Sequence, residues 1–161
     1  MIRVRPAIAL DAASMARLLN AIIARGGTTA MTTQVAGADL AEWMAENDGR
    51  SAWHVALNDA EEVVGFQWIA PQKSLPTEAA DIATFVQVGQ TGLGIGSKLF
   101  EATRRAAKDM GYRWINANIR ADNEGGLIYY QSRGFVPYGR IDGYRLDDGQ
   151  IVDKILKRFD L

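Results

Sequence analysis

The segment that decides the fold of this chain runs from Val86 to Phe100 and reads VQVGQTGLGIGSKLF. It begins as an apolar strand and ends in a helix whose apolar residues recur every three to four positions: Ile95, Leu99, Ala102, Ala106 and Met110. Between the two lie Gly92, Gly94 and Gly96, which allow backbone conformations that other residues avoid. The N–H groups of this loop and of the first helical turn can therefore converge. The segment predicts a binding site for phosphate.

These glycines are open to other interpretations. They could serve only as a tight strand-to-helix connection, although three in alternation make that less favourable. A dinucleotide-binding fold needs G-x-G-x-x-G near the start of the chain, whereas the spacing here is G-x-G-x-G and lies past mid-chain. A Walker loop ends in G-K-[ST], whereas Gly96 is followed by Ser97 and then Lys98. Both nucleotide interpretations are weak.

The loop from Thr91 to Gly96 resembles the pyrophosphate loop of the GNAT superfamily of acyl-CoA-dependent N-acyltransferases, whose pattern is [Q/R]-x-x-G-x-[G/A]. Gly94, Ile95 and Gly96 match the second half of that pattern. Thr91 stands where Gln or Arg is usual, and Gln90 lies one position too early. The resemblance therefore implies binding through backbone amides rather than through a side chain at Thr91.

A second segment, Asn123 to Phe135, reads NEGGLIYYQSRGF and is similar to the GNAT pattern N-x-x-[A/S]-x-x-x-Y-x-x-x-G-F. Gly126 replaces the usual Ala or Ser. The resemblance is strongest between Ala80 and Tyr138, and two motifs in the right order are more specific than either alone. It implies an α/β (α+β) fold with a mixed, mostly antiparallel central sheet of about 6–7 strands, flanked by about 4 helices.

The sequence also predicts the individual elements. Strands are expected over Ile2–Arg5, Ala52–Leu57, Val63–Ile69, Ala79–Val88, Tyr112–Ile119, Phe135–Tyr138 and Ile151–Leu156, with a turn-rich segment at Asp142–Gly149. Helices are expected from Ala12, capped by Asp11 and stopped by Gly26, over Ala38–Glu46, over Ile95–Met110, and from a cap at Asn123 to Gly134.

Composition bounds the class of protein. The 161 residues predict one domain covering 1–161, with 48% apolar and 23% charged residues and a net charge of −1. No Lys/Arg cluster suggests a nucleic-acid partner. The absence of cysteine excludes disulfides, thiolate zinc sites and a Cys nucleophile, and a single histidine argues against a metal site. Without an apolar run of about 18 residues or a signal-peptide pattern, a cytoplasmic protein with no membrane partner is expected.

The resemblance implies acetyl-CoA as the cofactor. Backbone N–H groups from Gly92 to Ser97 would hold its diphosphate, while the strand Phe85–Val88 would pair with its pantetheine arm. Gly89 would ease a β-bulge near Val88, freeing an N–H for the thioester oxygen. The expected cofactor-binding residues are Val86, Val88, Thr91, Gly92, Leu93, Gly94, Ile95, Gly96, Ser97, Asn123 and Tyr130.

Tyr130 is the expected general acid, because the second motif places it near the cofactor sulfur and a phenol of pKa about 10 keeps its proton at neutral pH. Tyr129 should point about 100° away around the helix and serve as a control. Asp81 is the expected general base, with Glu78 as an alternative. His54 has a suitable pKa, but its place on an apolar strand favours a packing role. Asn123 is expected to cap its helix and to contact the pantetheine or a bridging water.

These observations predict an enzyme that moves acetyl from acetyl-CoA to the primary amine of a small molecule by direct attack. The stretch from Asn20 to Ala30 is similar to the branch that acetylates phosphinothricin and other amino-acid analogues, which favours such an acceptor. Two alternatives stay open: a non-catalytic acyl-CoA sensor of the same shape, and a nucleotide-binding regulatory domain. A homodimer that pairs through C-terminal strands is expected from the resemblance alone.

Overall fold

The computed structural model describes residues 1–90 and 94–161, which form an open sheet with helices on both faces. The strands are β1 (Arg3–Pro6), β2 (Ala52–Leu57), β3 (Val63–Ala70), β4 (Ala79–Val86), β5 (Trp114–Arg120), β6 (Val136–Arg145) and β7 (Ile151–Asp160). The helices are α1 (Ala12–Arg25), α2 (Gly37–Ala45), α3 (Ile95–Asp109) and α4 (Glu124–Ser132). The expected architecture of about 6–7 strands and about 4 helices is confirmed.

The sheet order is β1-β2-β3-β4-β5-β7-β6, and every neighbouring pair is antiparallel except β4 with β5. That parallel pair is short, since it holds only from Ala79 opposite Trp114 to Asp81 opposite Asn116. By contrast, β4 pairs with β3 along six residues, and β5 pairs with β7 along seven. Among the described residues, β4 therefore has no paired strand on its β5 side from Ile82 onward. We call this space the β4–β5 gap.

Two apolar layers enclose the sheet because its side chains alternate between faces. On one, the α1/α2 face, Phe66 and Phe85 pack with Leu19 of α1 and Leu40 of α2. On the other, the α3/α4 face, the core residues come from three strands, from α3 and α4, and from the start of the chain after α4: Ile69, Ile82, Ile115, Phe100, Tyr130 and Phe135. In the described ranges, no helix combines the length and apolar character needed to cross a bilayer.

The end of β4 differs from the expectation. The strand ends at Val86, and the next four residues form a turn in which the Gln90 N–H donates to the Gln87 carbonyl at 3.0 Å. Gly89 has φ +87°, a left-handed value that favours glycine. The expected β-bulge near Val88 is therefore wrong, because a turn rather than an extra strand residue redirects the chain.

The last hairpin is longer than predicted. β6 continues through Asp142 and Gly143 to Arg145, so the expectation of a turn-rich segment from Asp142 is wrong for its first part. Register shifts between Ile141 and Tyr144 absorb the irregular residues. The Asp153 carboxylate of β7 accepts a hydrogen bond from the Gly143 N–H at 2.9 Å, which keeps the two strands together there.

Asp11 does not cap α1 as expected. A short 3₁₀ turn, Ala9–Asp11, leads directly into the helix, and no side-chain hydrogen bond caps it. The carboxylate instead pairs with Nη1 and Nη2 of Arg5 at 2.8 and 2.9 Å and accepts a hydrogen bond from the Ile8 N–H at 2.8 Å. These hydrogen bonds, chiefly the one to Arg5, lower the pKa of Asp11 and tie the start of α1 to β1.

Candidate active site

Backbone groups of β4 that face the β4–β5 gap have no strand partner within residues 1–90 and 94–161. The Gln87 N–H donates to the Val64 carbonyl at 2.9 Å, which sets the phase of the hydrogen bonds between β4 and β3. Because such bonds alternate along an antiparallel pair, Ile82, Thr84 and Val86 direct their N–H and C=O groups toward the gap. An extended chain can pair with groups of this kind as an added strand would. Val86, an expected binding residue, thus borders the gap, whereas Val88 lies in the following turn and is exposed.

The N-terminus of α3 lies beyond that turn. Gly94 has φ +73° and ends the loop, and Ile95 begins the helix. The first hydrogen bond of the helical pattern joins the Lys98 N–H to the Gly94 carbonyl at 3.1 Å. The N–H groups of Ile95, Gly96 and Ser97 thus belong to the first turn, whose donors and dipole attract anions. Thr91, Gly92 and Leu93 lie outside the described residues.

Tyr129 does not point away from the site as expected. Its hydroxyl donates to the Gly96 carbonyl at 2.7 Å and accepts from Gln67 Nε2 at 3.1 Å. Its ring packs so closely on Gly96 that a Cβ there would lie 2.6 Å from Tyr129 Cε1. Burial raises the pKa of Tyr129 to about 12. Tyr129 therefore joins α4 to the start of α3 and cannot serve as an inert control.

Tyr130 is buried on the α3/α4 face, beside the gap. Its hydroxyl lies 2.8 Å from Thr84 Oγ1, and Thr84 Oγ1 accepts from Gln67 Nε2 at 2.8 Å. Burial raises the pKa of Tyr130 well above the usual value of a phenol, so the hydroxyl keeps its proton at neutral pH. Thr84 thus presents its side chain to Tyr130 and its backbone to the gap.

Sequence reasoning missed Gln67 and Thr84. Gln67 is fully buried, and its Nε2 donates hydrogen bonds to the hydroxyl oxygens of both Thr84 and Tyr129. Its Oε1 has no hydrogen-bond partner among the described residues. The available signal was a glutamine inside an otherwise apolar strand, since a buried amide is costly unless it has partners.

Asp81 lies at the closed end of the gap, where β4 and β5 cease to pair. Asn116 Nδ2 donates to Asp81 Oδ1 at 2.9 Å, and the Tyr138 hydroxyl donates to Asn116 Oδ1. Burial raises the pKa of Asp81, an effect that the Asn116 hydrogen bond partly opposes. The Asp81 side chain projects to the α1/α2 face, opposite Tyr130. Side chains alternate between faces along β4, and Asp81 lies three positions from Thr84, which faces Tyr130.

The alternative bases lie elsewhere. Glu78 precedes β4 and is exposed, away from the gap. His54 is buried in β2, two strands from β4, and burial lowers its pKa. Of the three candidates, Asp81 borders the gap.

An aromatic wall stands on the α1/α2 face near Asp81. Trp68 of β3 stacks on Trp53 with ring centroids 4.0 Å apart, and Trp43 of α2 lies 5.9 Å from Trp68. Trp68 is opposite Ala83, whose small side chain separates Asp81 from Phe85 along this face of β4. The face therefore offers apolar surface beside a carboxylate, a combination suited to an amine with an apolar body.

The loop after α1 is held against the end of β5. Asn123 Oδ1 accepts the Gly126 N–H at 3.0 Å, which caps α4, and its Nδ2 donates to the Thr28 carbonyl at 3.2 Å. Arg120 Nη1 donates to the Thr29 carbonyl at 3.1 Å. A Cβ at Gly126 would lie 2.4 Å from Asn123 Nδ2, which explains glycine where the motif usually has Ala or Ser.

Comparison with known proteins agrees with this geometry. The family model described as "Acetyltransferase (GNAT) family" matches residues 18–135. The chain belongs to the GNAT acetyltransferase family. "Putative phosphinothricin acetyltransferase YwnH" of Bacillus subtilis (strain 168) is 27% identical over 153 residues, covering 92% of this chain and 93% of that protein. The predicted family and its acetyltransferase activity are thereby confirmed.

Solved structures share the fold. A GNAT superfamily phosphinothricin acetyltransferase from Sinorhizobium meliloti, in complex with acetyl-CoA, has a TM-score of 0.89 at 19% identity, covering 99% of this chain and 88% of that one. A ribosomal-protein-alanine N-acetyltransferase from Brucella melitensis has a TM-score of 0.89 at 20% identity, covering 99% of both chains. The expected cofactor, acetyl-CoA, is thus one that this fold binds.

The packing of Tyr129 on Gly96 gives a prediction for stability. We expect Gly96→Ala to lower the free energy of unfolding by about 1–3 kcal/mol, because the added methyl overpacks the ring. Urea unfolding monitored by circular dichroism measures this change.

Gly125→Ala is the matched control. Its added Cβ would meet nothing closer than 3.9 Å, and the position lies in α4 without a left-handed backbone. It should leave stability unchanged or raise it by about 0.4–1 kcal/mol. Equal effects of the two substitutions would contradict the packing argument.

Proposed function

We propose that this protein transfers the acetyl group of acetyl-CoA to the primary amine of a small molecule, an amino acid or amino-acid analogue, by direct attack of the amine. The observation that carries the proposal is the β4–β5 gap, which has Tyr130 on one face of the sheet and Asp81 on the other. The phosphinothricin acetyltransferase relative and the Asn20–Ala30 resemblance support the acceptor class. A cytoplasmic location and a homodimer stay predictions.

The described residues fit acetyl-CoA, which supplies an activated acetyl thioester when bound. The diphosphate would be held by the amides from Gly94 to Ser97, at the N-terminus of α3. The pantetheine arm would pair with the gap-facing backbone of Ile82, Thr84 and Val86. The proposal also includes contacts to acetyl-CoA from the remaining expected residues: Val88, Thr91, Gly92, Leu93 and Asn123.

Asp81 would accept the proton that the attacking amine releases as the new C–N bond forms. Its raised pKa suits a general base better than that of an exposed carboxylate. Asn116 holds one carboxylate oxygen, and Tyr138 holds Asn116, so the other oxygen stays available for the amine. These contacts fix the direction from which the amine approaches.

Tyr130 would donate its hydroxyl proton to the thiolate that departs when the C–S bond breaks. The raised pKa of the buried phenol ensures that the proton is present. Thr84 Oγ1, 2.8 Å away, fixes the orientation of the hydroxyl and links it through Gln67 to the rest of the buried network. The donor and the base thus act from opposite faces of β4.

The function is tested by incubating the protein with acetyl-CoA and a panel of amines that includes L-phosphinothricin, and by following free-thiol release. We expect release that is stimulated by amino acids or their analogues. Binding of acetyl-CoA without such stimulation would favour the acyl-CoA sensor instead. Failure to bind any coenzyme A would overturn both and favour the nucleotide-binding alternative.

Tyr130→Phe should lower kcat at least tenfold at neutral pH, because the proton donor is lost while the ring remains. The KM for acetyl-CoA should change little. Tyr112→Phe is the matched control, since Tyr112 is also buried but donates its hydroxyl to the Arg50 carbonyl outside the site. Parent-like turnover of Tyr130→Phe would remove Tyr130 from the acid role.

Asp81→Asn should lower kcat/KM about 100-fold or more, within the range of general-base contributions. The base must be ionised, so kcat/KM of the parent should fall as pH decreases through the raised pKa of Asp81. That acidic limb should disappear in the variant. Glu78→Gln changes an exposed carboxylate just before β4, and it should keep both the rate and the acidic limb. Loss of the acidic limb in Glu78→Gln would transfer the role of base to Glu78.

A further inference from the structure

Lys154 carries a buried positive charge that has no counterion among the described residues. The residue lies in β7 and is 8% exposed, and its Nζ stands 3.5 Å from the centre of the Tyr144 ring. Within residues 1–90 and 94–161, no carboxylate lies within 4.0 Å of Nζ. A buried ammonium is costly unless it is paired, and one aromatic face supplies only part of that compensation.

The charged side chains near Lys154 do not form an ion pair with its ammonium. Lys154 is opposite Arg120 of β5, so the two side chains share the α1/α2 face. Arg120 is itself neutralised by both oxygens of Asp122, at 2.8 and 2.9 Å. Asp81 interacts with Lys154 electrostatically, but its nearer partner is Asn116. The ammonium and the Asp81 carboxylate therefore face the same side of the sheet without forming an ion pair.

A second buried lysine on the same strand shows the contrast. Lys157 is 5% exposed and lies opposite Ala117, on the α3/α4 face. Its Nζ donates to the Leu127 carbonyl of α4 at 3.2 Å. Lys157 therefore has a structural partner, whereas the described residues provide no such acceptor for Lys154.

We propose that Lys154 binds the carboxylate of an amino-acid acceptor while Asp81 faces its amine. The inference rests on the proposed function and names the residue that selects the acceptor. The two opposite charges would orient a molecule that carries an amine and a carboxylate on one carbon. The aromatic wall beside Asp81 would contact its side chain. An amine without an anionic group would leave the ammonium unpaired.

The test compares L-leucine, L-methionine, L-phenylalanine and L-glutamine with their carboxamides, which keep the amine and the side chain but lose the charge. We expect the parent to favour the acids in kcat/KM at least tenfold. Lys154→Met should lower the ratio of kcat/KM for an acid to that for its carboxamide at least tenfold, mainly through a higher KM for the acids. A ratio within one variant does not depend on how much of the sample is folded.

Three variants complete the design. Lys157→Met, on the opposite face of the strand, should keep the preference of the parent. Lys154→Arg retains the charge and should keep most of it, while Lys154→Gln provides a second neutral side chain if the methionine variant fails to fold. A parent that uses the carboxamides as well as the acids overturns the proposal without any variant.

Binding to the complex with coenzyme A, measured by isothermal titration calorimetry, separates this inference from the proposed function. The anion site is supported if the parent binds the acids more tightly than the carboxamides and if Lys154→Met or Lys154→Gln abolishes this difference. This conclusion holds even if no amine stimulates thiol release. In that case only the transferase proposal fails. Absence of binding by every acid, or a neutral Lys154 variant that keeps the preference, overturns the anion site.

Discussion

The rest of the structure depends on the interrupted pairing between β4 and β5. Backbone N–H and C=O groups inside a sheet normally find partners, so a row of unpaired groups beside a buried strand requires both an explanation and a mechanical support. The support comes from the outer neighbours, because β3 holds β4 along six register pairs and β7 holds β5 along seven. The two strands can therefore diverge after Asp81 without unravelling, and an extended ligand can supply the missing partner.

The two faces of β4 divide the chemistry between them. Thr84 projects toward Tyr130, Gln67 and Tyr129, and this network ends at the Gly96 carbonyl in the first turn of α3. Asp81 projects the other way, toward Asn116 and Tyr138. A strand reverses its side chains at each residue, so Thr84 and Asp81, three positions apart on β4, face opposite sides of the sheet.

The same fold serves different acceptors. Two of the solved structures with a TM-score of 0.89 are named for ribosomal-protein alanine and for phosphinothricin. Acceptor choice must therefore come from side chains rather than from the sheet itself. In this chain the α1/α2 face carries an aromatic wall, the Asp81 carboxylate and the Lys154 ammonium.

The sequence by itself determined the element order, the α3 N-terminus, the Asn123 cap and the positions of Asp81 and Tyr130, because periodicity, glycine placement and capping are local properties. Only the tertiary structure showed the contacts of Gln67, Thr84 and Tyr129 and the burial of Lys154. Gln67 contacts Tyr129, which lies 62 positions away in the sequence. Lys154 lies between Arg120 and Tyr144 because β7 is placed between β5 and β6. Such contacts depend on strand order and register, which bring together residues whose own neighbourhoods carry no sign of the encounter.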